Sequence, residues 1–210
     1  MHPNLLSLML FCFVTSCTPG PNNILASYSS FNFGIKKTLP HMLGVALGYT
    51  SMITILDVGL IFPFKKYPII QDVLKVLGSI FLIYLAYKIS FSKSNSENLL
   101  NNPVKFLESY FFQFINPKGV SVAVITIVTF VDTTNYYLMH SLWIIGVSFF
   151  FACFSISFWS FLGKFLRKFA TNEKFIKNFN YVMSFLLVSL SLIHISEPTR
   201  PRLISYAGFC

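Results

Sequence analysis

The residues of this 210-residue chain best placed to do chemistry sit beside prolines inside long apolar runs. Lys118 follows Asn116-Pro117 in the run Phe111–Thr126, and Gln113 lies just upstream. Charged groups in such a run are costly and by default mark a pathway or a site. Lys118 could attract a substrate carboxylate or hold a local anionic partner. The plainer alternative is a lysine reaching along its alkyl stem to the membrane interface. Asn22, Asn23, Asn116 and Gln113 each carry two donors and an acceptor. They could satisfy opened backbone, or bind amino and carboxyl groups. Ser16 and Thr18 carry a weaker form of the same argument. Asp57, flanked by Ile55-Leu56 and Val58-Gly59-Leu60, could pair with Lys118, bind an ammonium or carry a coupling proton. Its closeness to Pro63 and Lys65 equally suits an interfacial helix end. Asp132, at the end of an apolar run, is expected to face water.

Two interrupted elements must position these side chains. Proline fixes φ and removes a backbone donor, so Pro19-Gly20-Pro21 and Asn116-Pro117-Lys118-Gly119 should each break or kink a helix. In a bilayer such breaks persist only where the freed backbone groups find protein partners or a water-filled cavity. A pair of Pro/Gly-interrupted apolar segments, one per half, points to a transporter's binding site near the midplane. The expected substrate-binding or pathway residues are therefore Pro19, Gly20, Pro21, Asn22, Gln113, Asn116, Pro117, Lys118 and Asp57.

The composition supports this reading. The chain is 54% hydrophobic and 11% charged, with a mean hydropathy of +0.65, where a soluble domain carries roughly 25% charged residues. This is the composition of an integral membrane protein embedded in a lipid bilayer. The net charge of +9 is then an orientation signal and implies no nucleic-acid partner. Six apolar spans are expected: Leu5–Phe33, His41–Phe64, Tyr67–Ser90, Phe106–Val131, Leu138–Leu162 and Phe179–Ile195. Most reach the ~20 residues that a crossing needs. The first is too long, and lacks the basic start and small-residue cleavage site, for a removed signal. Ten Lys and Arg fall on the odd loops and their flanks against three on the even ones, which places the N-terminus outside.

The polar linker Ser92–Asn98 divides the chain into residues 1–91 and 105–189. The fold expected is an all-α integral membrane protein of six transmembrane helices. They form two inverted three-helix repeats, because an odd number of crossings inverts the second. Helices one and four are broken. Gly44 and Gly48 form a small-xxx-small pattern that suits close packing within the subunit more than dimerisation. Cys12, Cys17 and Cys153 lie in apolar spans and read as small buried hydrophobes. No His/Cys/Glu cluster has metal-ligand spacing, no Gly-rich phosphate loop appears, and nothing marks a catalytic triad.

Thr18-Pro19-Gly20-Pro21-Asn22, with Gly34, Pro40-His41, Gly44, Gly48 and Asn116-Pro117-Lys118, resembles the LysE/RhtB family of amino-acid exporters. The resemblance spans about Leu5 to Ser189. It implies a six-helix carrier of the bacterial inner membrane, not an enzyme and without a cofactor. Such a carrier exports amino acids or close analogues, driven by the proton gradient, and can form a homo-oligomer. Alternating access would come from the two repeats rocking about a midplane site. From Leu190 onward the sequence departs from the family. Leu-Ser-Leu-Ile-His-Ile-Ser-Glu-Pro-Thr-Arg and Ile204–Cys210 look like translated library adaptor, so Leu190–Cys210 is expected to be non-native and helix six truncated after about Ser189. Two other readings compete. A transmembrane thiol-disulfide relay would use Cys17, but Phe111–Gly119 offers no partner cysteine. A non-transporting membrane scaffold gives no reason for two matched breaks.

Overall fold

The computed structural model describes residues 4–60, 66–67, 69–90, 103–131, 137–170 and 173–196. These form eight helices: α1 (Leu5–Cys17), α2 (Pro21–Phe33), α3 (Ile35–Ile55), α4 (Ile69–Ser90), α5 (Phe106–Ile115), α6 (Pro117–Phe130), α7 (Tyr137–Arg167) and α8 (Glu173–Ser196). A π-helical turn, Leu56–Leu60, extends α3. Pro63, Lys65, Asp132, the linker Ser92–Asn98 and residues 197–210 of the expected tail lie outside the described residues.

Both prolines expected to interrupt a span do so, and in the same way. Pro21 and Pro117 each occupy the first position of a new helix, preceded by an extended residue, Gly20 or Asn116. Proline suits that position because its missing N–H has no acceptor there anyway. The chain bends by 53° between α1 and α2 and by 61° between α5 and α6. Among the described residues, and with each bent pair taken as one span, up to five spans are long and apolar enough to cross a membrane. The third expected span, Tyr67–Ser90, corresponds to α4, a 22-residue helix over Ile69–Ser90. The second span begins earlier than expected, at Ile35 instead of His41. Gly34, at φ +83°, turns the chain directly from α2 into α3, a conformation open to glycine. The last helix runs to Ser196, past the expected boundary at Ser189. Ser191 Oγ donates to Ser79 O at 3.2 Å.

Two larger apolar cores and a smaller cluster of Ala26, Val45 and Ile156 hold the bundle among the described residues. The first joins α1, α3, α6 and α7 through Leu8, Cys12, Ile53, Val120, Ala123, Ile144 and Phe151. The second joins α2, α4, α5 and α8 through Ile24, Leu25, Leu82, Leu85, Phe112 and Leu187. The first half of one broken span thus shares a core with the second half of the other. The most extensive packings are α3 on α5, α2 on α7 and α4 on α8. Each pairs a helix from before the linker with one after it. Glycines permit the closest approaches. A Cβ on Gly44 would meet Phe106 O at 2.5 Å, and one on Gly48 would meet Tyr110 O at 2.6 Å. The small-xxx-small face therefore packs inside the subunit, as expected.

Candidate substrate site between the two breaks

Ending α1 at Cys17 leaves carbonyls without intrahelical donors, and side chains from elsewhere satisfy them. Ser16 O accepts from Asn23 Nδ2 at 2.8 Å and from Ser155 Oγ at 2.6 Å. Cys17 O accepts from Trp159 Nε1 at 3.2 Å. Thr18 O accepts from Asn23 Nδ2 at 3.0 Å and from Lys118 Nζ at 2.9 Å. Lys118 Nζ also donates to Thr18 Oγ1 at 2.8 Å. The lysine of the second break thus closes the first. Gly20 makes room for it, since a Cβ there would lie 2.9 Å from Lys118 Cδ.

The second break is less fully satisfied. Val120 N–H donates to Asn116 O at 2.9 Å, which starts α6. Asn116 is 2% exposed, and its side-chain Oδ1 has no hydrogen-bond partner among the described residues. Gln113 and Asn22, by contrast, saturate each other. Asn22 Nδ2 donates to Gln113 Oε1 at 2.7 Å, and Gln113 Nε2 donates to Asn22 Oδ1 at 3.2 Å and to Ser109 O at 2.7 Å. His41 backs this pair, with Nδ1 at 2.6 Å from Ser109 Oγ and Nε2 at 3.3 Å from Asn22 O.

These groups border one cavity of about 80 Å³. Gly20–Asn23 of the first break and Asn116, Lys118 and Gly119 of the second line it, together with Gln113, Thr15 and Ser16. Tyr49 and Val45 of α3, Val122 of α6 and Ala152, Ser155 and Ile156 of α7 complete the wall. The starts of α2 and α6 both border the space, so the orphan N–H groups of two helices lie at it. Lys118 is the one charged side chain among the lining residues.

The structure therefore brings six of the nine expected residues together: Gly20, Pro21, Asn22, Gln113, Asn116 and Lys118. Three lie elsewhere. Pro19 is exposed in the connection between α1 and α2. Pro117 is buried and turned toward α4, where a Cβ on Gly78 would meet its Cδ at 2.9 Å. Asp57 sits in the π-helical turn, eight residues beyond Tyr49 or about 12 Å along a helix. Its carboxylate does not pair with Lys118, whose ammonium is engaged by Thr18. Asp57 Oδ1 is buried without a partner among the described residues, and its backbone carbonyl accepts from Tyr137 Oη at 3.0 Å. Tyr49 and Ser155 were missed from the sequence. Ser155 had a signal: Ser141, Ser148 and Ser155 recur every seven residues on a largely apolar helix, and all three are buried.

Two proline-started half-helices border one cavity, and comparisons with known proteins give the family of the chain. A family model described as LysE type translocator matches residues 13–196. The chain belongs to the LysE type translocator family. Similar curated proteins include the cysteine/O-acetylserine efflux proteins of Escherichia coli (strain K12) and Shigella sonnei (strain Ss046). Each is 30% identical over 193 residues, covering 90% of this chain and 96% of the relative. No solved structure matches. A LysE type translocator is a transporter and not an enzyme. The multi-pass apolar helices accord with a bacterial membrane protein of this family. Among the described residues the thiols Cys12, Cys17 and Cys153 are all free.

Proposed function

We propose that this chain is a secondary exporter of amino acids or close analogues across the bacterial inner membrane, with its N-terminus outside. It works by alternating access and exchanges substrate for protons. The observation that carries the reading is that both breaks, one per half, border a single cavity with Lys118 beside it. The efflux of cysteine and O-acetylserine named for the relatives supports amino-acid export. Six spans in two inverted repeats are supported by the way α1 shares a core with α6, and α2 with α5. That exchange of halves is what two antiparallel broken spans produce. The α4–α8 packing adds a counterpart pair from the two repeats.

In this reading the two apolar cores are the gates on either side of the polar cavity. Parting one while the other stays closed exposes the site to one side of the membrane. Because the main packings join the two halves, the half-helices hinged at the breaks are the moving parts, in place of whole repeats rocking. Asp57, a buried carboxylate with an unpartnered oxygen beside the first core, is the group proposed to carry the coupling proton. The adaptor-like stretch Leu190–Cys210 is proposed to be non-native.

The test is amino-acid efflux from bacteria preloaded with dipeptides, comparing expressing and vector-only cells with and without a proton uncoupler. Faster, uncoupler-sensitive release of particular amino acids is expected. Equal release across a broad panel, with the protein verified in the membrane, would overturn the reading.

A further inference from the structure

Resting on the exporter reading, we propose that the cavity is built for α-amino acids with small uncharged side chains. Lys118 and the start of α6 take the carboxylate, Asn116 Oδ1 takes the ammonium, and substrates with a second positive charge are refused.

The charge inventory gives the first half of the assignment. The lining residues include one cation, Lys118, and no carboxylate. Two helix N-termini add partial positive charge and free N–H groups. The Lys118 ammonium rests on neutral oxygens of Thr18, which a carboxylate replaces with a charge-assisted contact. A carboxylate on the ligand is what this set of groups fits.

The ammonium needs an acceptor, and four amides stand at the cavity. Asn23 Oδ1 already accepts from Ser155 Oγ at 3.3 Å. Asn22 and Gln113 are consumed by each other. Asn116 is not: its Oδ1 is buried and unpartnered. Buried acceptors are almost always satisfied, so one that is not calls for a missing donor. The terminal torsion of an asparagine is soft, which lets that oxygen turn onto a ligand. Asn116 and Lys118 sit within one turn of each other at the start of α6, a spacing suited to the two charged groups on one α-carbon.

The remaining wall decides the side chain. Val45, Val122, Ala152 and Ile156 offer no counter-ion, so a lysine- or arginine-like side chain would bring a second cation toward Lys118 unpaired. The volume of about 80 Å³ is well below the roughly 150 Å³ of a protein cavity that admits benzene. A side chain of a few heavy atoms fits.

The experiment is counterflow of labelled L-cysteine, kept reduced, into proteoliposomes holding the full chain. Unlabelled L-serine, L-lysine and 3-mercaptopropionate, which is cysteine without its amino group, are the competitors. Serine is expected to compete better than either of the others by roughly tenfold or more, the effect of one lost charged hydrogen bond. Asn116→Leu should narrow the gap between cysteine and 3-mercaptopropionate while lysine stays excluded. Lysine competing as well as serine, or 3-mercaptopropionate matching cysteine in the wild type, would overturn this assignment and leave the exporter reading standing. If Asn116→Leu fails to fold, the wild-type competition alone decides. No counterflow of any labelled amino acid from a broad panel, with folded protein in the vesicles, would instead overturn the exporter reading itself.

Discussion

Lys118 makes its two hydrogen bonds to a residue one hundred positions earlier in the chain, so its removal acts on both breaks at once. Lys118→Ala is expected to abolish efflux while the protein still inserts. Wild-type flux at equal membrane yield would discard its role. Gly20→Ala approaches the same contact from the other side. The new methyl would lie 2.9 Å from Lys118 Cδ and 3.0 Å from Nζ, and a flexible side chain yields before backbone does. The expected result is weakened transport at nearly unchanged thermal stability in detergent; an unaltered transport rate would show that the ammonium needs no fixed seat. Asp57→Asn tests the proton assignment. Efflux down an amino-acid gradient should persist but lose its response to an uncoupler. Retained uncoupler sensitivity would move the coupling site elsewhere.

At the scale of elements, the helices are spaced by glycines that cannot grow. A Cβ on Gly163 would lie 2.2 Å from Ser27 O, and one on Gly78 would lie 2.2 Å from Ile115 O. Both obstacles are backbone, so Gly163→Ala must push α7 off α2. Overpacking of this kind costs about 1–3 kcal/mol, which a lowered Tm of the purified protein would register. Trp159→Phe keeps an aromatic ring but strips the donor from Cys17 O, a part-buried contact. Leaving a buried carbonyl unsatisfied costs about 1–3 kcal/mol, so a second, smaller drop in Tm is expected there. These positions also mark what could be read in advance. The breaks were legible because proline and glycine act through local backbone geometry. The amides beside them were legible because opened backbone demands polar company. Asp57 was legible as a carboxylate in an apolar run, but that pattern does not say how far along the helix it sits from the cavity. Pro117 and Ser155 depend on which neighbouring helix each one faces, a product of packing that no local pattern encodes.

At the scale of the whole molecule, the two larger apolar cores each draw helices from both sides of the linker. The division of the chain into two repeats is therefore a division of sequence more than of packing. α2 finds its main support on α7, and α3 finds its own on α5. When the first three spans leave the ribosome, their interior faces lack their main partners. Gly44, Gly48, Ser27 and Asn22 would meet lipid until the second half arrives. At a synthesis rate of roughly 5–20 residues per second, that wait is on the order of ten seconds. Residues 1–102 expressed alone should be cleared by membrane proteases, and co-expression with residues 103–210 should rescue them. A stable first half on its own would contradict this. The interlocked packing thus makes biogenesis the stage at which this protein is most exposed to quality control, and any lesion that delays or shortens the second half endangers the first.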